Sequence, residues 1–451
     1  MVELAFVRGN DYKTSPATVK RFHLLLLVGM VSAGALNGVA QNTTSPSVPS
    51  KMVSPADSSQ SKPFSQWDYL TGDWGGTRTH LSNEGIDFNL TYSADVWGNV
   101  KGGIKQEAVY SGLLEFSNKI DFEKLVGWQG ATFYSRWFWL SGQNPSADLT
   151  GNFFAINNLS GYNTVRNYEL WYQQNFFDDK LSIRVGQLAA DSEFVTSSYA
   201  SAFMNGTFGW PTALSSNIPN GGPAYPSGGP GIRVAVKPIE CVTIMSAVLQ
   251  GNVFPQNVNK HGFDWELSYD QGLLSLNEVQ WRHQNWLPGD VKAGVWGESG
   301  SFVNFSSPTA TNSGNYGAYL IADQMLYRPG AADTKQGLGA FVRLAIQPED
   351  RNYIGRYVDG GLNYLGLIPG RDMDTLGLAV ACGEVTSGAR AQLISQGGSG
   401  PPNETLIEAT YAAQVTNWLI LEPDVQVILN PGGATTSSSV VILGARAVIN
   451  F

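Results

Sequence analysis

The sequence predicts an all-β protein, a 16-stranded antiparallel transmembrane β-barrel preceded by an N-terminal signal peptide and a disordered linker. Three observations predict it. Apolar and polar residues alternate at period 2 over segments of about ten residues, the length a strand needs to cross a bilayer at a tilt. Charged residues make up only 14% of the chain, where soluble globular chains average about 25%. The last strand ends on Phe451 with apolar residues at every second position before it: Leu443, Ala445, Ala447 and Ile449. Aromatic content of 12% and mean hydropathy of −0.12 fit a chain that buries much surface without long apolar runs. After residue 40 no stretch approaches the roughly 20 apolar residues of a membrane helix.

The N-terminus reads as an address. Lys20-Arg21 precede the apolar run Phe22 to Ala35, and Gly38-Val39-Ala40 then precede Gln41, the layout of a secretory signal spanning residues 1–40 and cleaved after Ala40. The run is too short for a membrane anchor. Glu3 and Asp11 are out of place in a positively charged leader, and a start codon placed too early would explain residues 1–19. Residues 41–65 are rich in Ser and Pro and cannot bury enough apolar surface to offset their ordering entropy, so they are expected to be a flexible linker. From residue 66 to 451 no second boundary occurs, so one barrel is expected, with 66–85 as a periplasmic segment before the first strand. Export then places the barrel in the outer membrane of a Gram-negative bacterium.

The alternation is clearest in five segments. Phe88, Leu90, Tyr92, Ala94 and Val96 oppose Asn89, Thr91, Ser93 and Asp95; Ile183 and Val185 oppose Ser182 and Arg184; Ile232, Val234 and Val236 oppose Arg233 and Lys237. Leu338, Ala340, Val342, Leu344 and Ile346 oppose Arg343 and Gln347, and Leu419, Leu421, Val425, Val427 and Leu429 oppose Glu422, Asp424 and Gln426. A soluble sandwich would turn the apolar face inward, whereas a membrane barrel turns it to lipid and lines an aqueous lumen with the charges. Aromatics at strand ends favour the barrel, because interfacial girdles are aromatic. Trp97, Trp137, Trp139, Trp265, Trp281, Trp296 and Trp418 are assigned to those girdles.

Seventeen strand-like segments occur between 86 and 451, one more than an even-numbered barrel allows. The surplus lies near residue 270. With a periplasmic turn at Trp286 to Asp290 and an outer loop at Gly300 to Asn315, the segment 273–283 must run downward. Either 263–283 is one strand bulged near Gly272, or its first part is loop. Sixteen strands result. Ala189 to Pro230, rich in Gly, Pro, Asn and Ser, reads as an outer loop folded into the channel.

Several functional classes are excluded. Net charge is −9 and no Lys/Arg cluster offers a phosphate-binding patch, so no nucleic-acid partner is expected. The four histidines lack metal-ligand spacing, and neither a Gly-x-Ser-x-Gly elbow nor a phosphate loop is present. No metal, no cofactor and no enzymatic activity are expected. Cys241 and Cys382 lie on separate strands and read as isolated thiols.

A family resemblance rests on specific segments. Leu70-Thr71-Gly72-Asp73-Trp74-Gly75-Gly76-Thr77-Arg78 with Leu81 and Gly85-Ile86 is one. Gly127-Trp128-Gln129-Gly130-Ala131, Val185-Gly186-Gln187, Tyr316-Gly317-Ala318-Tyr319 with Asp323-Gln324, and Pro369-Gly370-Arg371-Asp372 with Asp374 are the others. From Trp67 to Phe451 the chain resembles the carbohydrate-selective OprB-type porins. The resemblance implies a monomeric or homotrimeric sixteen-stranded barrel that admits mono- or oligosaccharides to the periplasm by passive, selective diffusion. The alternative is a general or anion-selective porin without sugar preference. The expected partners are small carbohydrates, outer-membrane lipid and lipopolysaccharide, and the barrel-assembly machinery, whose recognition signature the Phe451 strand is similar to.

A sugar offers hydroxyls around its rim and C–H groups on its faces, so a selective pore needs charged or amide partners and an aromatic ring at a narrow point. Along 165–177 the alternation sends Tyr168, Leu170 and Tyr172 to lipid and Asn167, Glu169, Trp171 and Gln173 to the lumen, with Trp171 as a stacking platform. Neighbouring strands contribute Tyr134 and Arg136, with Trp137 and Trp139 outward, and Arg184 and Arg233. Asp95, Glu115, Glu278 and Arg282 face inward by the same logic. A mixed Arg/Glu lining suits neutral polyols. Arg78, just before the first strand, either anchors its segment or touches solute.

Overall fold

The structure, a computed structural model, describes residues 62–284, 287–307, 309–330, 334–399, 401–433 and 438–451. The expected export signal and nearly all of the linker lie outside the described residues. Sixteen strands form one closed antiparallel barrel: β1 Ile86–Lys101, β2 Ala108–Asp121, β3 Ala131–Gly142, β4 Thr164–Phe176, β5 Leu181–Leu188, β6 Gly229–Ile239, β7 Val242–Gln250, β8 Leu273–His283, β9 Gly289–Val303, β10 Thr311–Tyr327, β11 Gly337–Ile346, β12 Ile354–Leu365, β13 Thr375–Val385, β14 Asn403–Thr416, β15 Leu419–Leu429 and β16 Val440–Asn450. Each strand pairs with its neighbours in sequence. β16 closes on β1 through Tyr92↔Ile449, Ala94↔Ala447 and Val96↔Ala445. An even count returns the chain to the side on which it entered, which is why β1 begins and β16 ends at the same rim.

The segment ahead of β1 is tied to that rim. The Leu70 N–H donates to the Asn450 carbonyl at 2.8 Å, and the Trp418 indole N–H donates to the Phe64 carbonyl at 3.2 Å. Arg78, in the first turn of α1 (Thr77–Asn83), donates from Nη2 to the Phe451 carbonyl at 2.7 Å and lies over the Tyr69 and Trp74 rings at 3.8 and 4.4 Å. Of its two expected roles, anchoring is the one the contacts show.

The two faces of the sheet separate as the alternation requires. On β11 the outward Val342, Leu344 and Ile346 are exposed while Arg343 between them is buried. In a bilayer the exposed row meets lipid, so its apolar character is favourable. Of the two readings of 263–283 the second holds: residues 263–272 belong to a loop, since β8 begins at Leu273 and Gly272, with φ +96°, closes a turn. Three sequence expectations are corrected. The outer loop expected at 300–315 contracts to 304–310, because β9 runs on to Val303 and β10 begins at Thr311. The turn expected at 286–290 closes before Gly289, which opens β9. Trp97 and Trp296 leave the girdle: both are buried on the inward face, Trp97 beside Asp95, while Trp139 and Trp281 do face outward.

The short connections, such as 177–180 and 240–241, lie at the rim shared with the chain ends, and the long ones lie opposite. Counting the outer loops L1 (102–107), L2 (143–163), L3 (189–228) and L4 (251–272), L3 crosses the barrel interior. Its backbone is tied successively to many strands. Val195 N–H donates to Glu278 on β8 at 3.0 Å, Ser198 N–H to Asp323 on β10 at 3.0 Å, and Met204 N–H to Glu408 on β14 at 2.6 Å. Asn217 Nδ2 donates to the Ile354 carbonyl of β12 at 2.8 Å, and Gly229 returns the chain to β6. L2 is held likewise, with Phe153 and Phe154 N–H groups on Glu404 at 3.0 and 2.8 Å. A backbone that leaves the sheet needs new acceptors, and inward carboxylates supply them.

Candidate functional site

The inward face of β2 to β6 carries most of the expected site, and its geometry depends on one irregularity. Arg136 pairs with Glu169, but the next partners are Trp137 and Asn167, so Tyr168 is the extra residue of a β-bulge. A bulge resets which residues face inward. The expected lipid-facing Tyr168 is therefore inside: its ring stacks on Phe138 at 4.6 Å and its hydroxyl donates to Asp191 of L3. Asn167, expected in the lumen, shares the face of Trp137 instead and is covered by L4, where its N–H donates to the His261 carbonyl at 3.0 Å. Trp265 of L4, expected in the girdle, donates to Gln187 on the same covered seam at 2.6 Å.

Below the bulge the alternation holds, and the inward side chains form one continuous network. Arg136 meets Glu115 at 2.7 Å and Glu169 at 3.6 Å, and Glu169 accepts from the Trp171 indole N–H at 3.3 Å. Trp171 is 9% exposed: Tyr134 packs against it with ring centroids 5.0 Å apart, and the Arg184 guanidinium lies over its ring at 3.7 Å. The ring expected to stack on sugar thus carries an arginine.

Arg184 and Arg233 stand directly opposite each other on β5 and β6. Like charges in that relation repel, so the pair requires a counter-charge. Glu193 of L3 provides it, binding Arg233 through two hydrogen bonds at 2.8 and 3.0 Å and meeting Arg184 at 3.2 Å. The Gln173 carbonyl oxygen accepts from both arginines, from Arg184 at 2.8 and 3.0 Å and from Arg233 at 3.0 Å. Bidentate pairing of this kind fixes orientation as well as charge.

The remaining expected residues lie apart from this network. Asp95 is fully buried, taking two hydrogen bonds from its cross-strand partner Arg446 at 2.7 and 2.8 Å and one from Asn157 of L2 at 3.1 Å. Glu278 accepts from Val195 of L3 and from the Tyr319 hydroxyl at 2.8 Å, so it holds the loop. Arg282 lies near the end of β8, opposite Asp290, and is exposed there.

Sequence reasoning missed Glu193 and Asp191, which carry the negative charge that L3 brings to the wall. It also missed the sealed pair Arg343–Asp359, whose arginine donates to the Thr207 carbonyl of L3 at 2.9 Å. Loop residues have no period to read. The signal that was available is chemical: two arginines on facing inward positions demand an acid, and Glu193 lies five residues past the end of β5.

A closed sixteen-stranded barrel with an apolar exterior, a charged interior and one long loop laid across it defines an outer-membrane porin. Residues 105–451 match the model of the carbohydrate-selective porin, OprB family. The chain belongs to that family and is a sugar-selective channel of the Gram-negative outer membrane. It is similar to Porin B of Pseudomonas aeruginosa, 24% identical over 85% of this chain and 91% of that one. It is also similar to a putative porin, QuiX, of Acinetobacter baylyi, 21% identical over 86% of this chain and 93% of that one. The high-pH structure of Pseudomonas putida OprB superposes with a TM-score of 0.78 at 25% identity, covering 86% of this chain and 100% of that one.

Proposed function

We propose that sugars cross the barrel along the β2 to β6 wall, with Arg136, Glu115, Glu169, Arg184 and Arg233 as the line of polar contacts and Trp171 as the base on which Arg184 is held flat. The observation that carries this reading is exposure within the network: the Arg136 side chain is 27% exposed and Glu115 17%, so their remaining hydrogen-bonding capacity faces the open lumen. A guanidinium donates to sugar oxygens and a carboxylate accepts from sugar hydroxyls. Both kinds of bond are charge-assisted and replace the hydration the sugar loses at a narrow point. Because these five charged side chains are already paired, they do not reorganise when solute arrives, and contacts remain weak enough for release. Asp95 and Glu278 support this path by fixing L2 and L3, and Arg282 meets solute near the periplasmic exit.

Passive diffusion of this kind needs no catalysis, metal or cofactor. Its partners are neutral mono- and oligosaccharides inside and membrane lipid with lipopolysaccharide outside, one pore per barrel whether the assembly is a monomer or a homotrimer. The strand ending at Phe451 is the signal read by the assembly machinery. Residues 1–40 are removed after export, 41–65 remain as a periplasmic linker, and 66–451 form the folded unit. Swelling of liposomes containing the purified protein tests the central reading. Neutral sugars should enter faster than amino acids of similar size, and equal rates across both series would refute it. Arg136→Ala should weaken the block of ion current by sugar, as loss of a charge-assisted contact removes about 1.5–3 kcal/mol.

A further inference from the structure

We infer that Glu193 of L3 is the charge-selectivity residue of this channel: by neutralising the facing arginines Arg184 and Arg233, it makes the wall select neutral saccharides over anionic ones such as sugar acids and sugar phosphates. The inference rests on the sugar-channel reading and adds to it the exclusion of charged sugars. Six ionic side chains are joined by ion pairs on this wall, Arg136, Arg184 and Arg233 with Glu115, Glu169 and Glu193, and they cancel three against three. Arg166 and Asp191, on the neighbouring positions of β4 and L3, add one charge of each sign.

The cancellation depends on Glu193 more than on any other member. Glu115 and Glu169 converge on one arginine, whereas Glu193 alone among the carboxylates pairs with both Arg184 and Arg233. It comes from a loop, so the strand sequences by themselves leave two adjacent guanidinium groups uncompensated. It is also open to the lumen, at 20% side-chain exposure against 10% for Arg184 and 4% for Arg233. An anion in the channel therefore meets the carboxylate before either arginine. In a confined, low-dielectric passage an unbalanced pair of fixed positive charges concentrates anions, and a balanced one does not. With Glu193 in place the arginines still orient hydroxyl oxygens by hydrogen bonds while offering no net attraction to a carboxylate or phosphate.

Two variants and two readouts test this. In planar bilayers under a KCl gradient, Glu193→Gln should move the reversal potential toward that of chloride, and in liposomes it should raise gluconate entry relative to glucose severalfold. The double variant Glu193→Gln with Arg184→Gln removes the same ion pairs but restores charge balance, so its reversal potential should return to the wild-type value. An unchanged reversal potential in the single variant overturns the inference. So does a shift that persists in the double variant, since that shift would come from displacement of L3 rather than from charge. Wild-type liposomes that admit gluconate as fast as glucose would also overturn it while leaving the sugar channel intact, whereas failure to prefer glucose over amino acids of similar size would remove the reading beneath it.

Discussion

Charged side chains on the two sides of the barrel meet different partners. On β2 to β6 the arginines and glutamates pair mainly with one another; Arg136, Glu115 and the Glu193 of L3 that joins them keep 27%, 17% and 20% of their side chains open, while Glu169 and Arg233 beneath them are 4% exposed. On β10 to β14 Arg343 and Asp359 are closed off, at 2% and 0% exposure, and Asp323, Glu404 and Glu408 bind backbone N–H groups of L2 and L3, while Arg356 and Glu384 near the strand ends form an exposed pair. Both walls carry acidic and basic residues in sequence, so the residue type alone does not distinguish them. Partner and exposure decide it. A carboxylate saturated by loop N–H groups works as a fastener, and one shared among partly exposed arginines remains available to a passing hydroxyl.

Breaking the fastened wall should have the largest effect. Asp359→Ala leaves the Arg343 guanidinium buried without its ion pair, a loss of about 3–5 kcal/mol, and should lower the temperature at which the purified barrel loses its compact migration in SDS gels. It should also raise single-channel conductance as L3 loosens. Glu408→Ala strands the Met204 and Asn205 N–H groups, at about 1–3 kcal/mol, with a smaller thermal shift and earlier cleavage of L3 by added protease. On the open wall the order of effects reverses: Arg184→Gln, which leaves Glu193 paired with Arg233, should lower the unfolding temperature less than Asp359→Ala does while weakening sugar block of the ion current. The smallest effect is expected at Lys105→Ala, because its pair with Glu107 is exposed on both sides at 58% and 59%; neither unfolding temperature nor sugar permeation should move.

The barrel was legible in the sequence because lipid on one side and water on the other impose a strict period of two, and Phe451 fixed the parity of the last strand. The parity at Arg136, Glu169, Arg184 and Arg233 was readable for the same reason. The period fails wherever the backbone departs from it. The bulge at Tyr168 inverted two assignments, and nothing in Asn167-Tyr168-Glu169 announces it. Trp97 and Trp296 looked like girdle residues because Trp at a strand end usually is, but inside a lumen crossed by L3 an indole packs equally well. The role of Trp171 was misjudged because its cross-strand neighbours were unknown: Arg184 occupies the ring that the sequence left free. Glu193 and Asp191 were invisible to periodicity, as any loop residue is.

If solute follows the open wall and avoids the fastened one, a crystal structure of the protein soaked with a neutral disaccharide will show sugar within hydrogen-bonding distance of Arg136 and Glu115, with L3 in place and the Arg343–Asp359 pair untouched. Sugar bound against Arg343, Asp323 or Glu408, with the Arg136 network empty, would contradict that route.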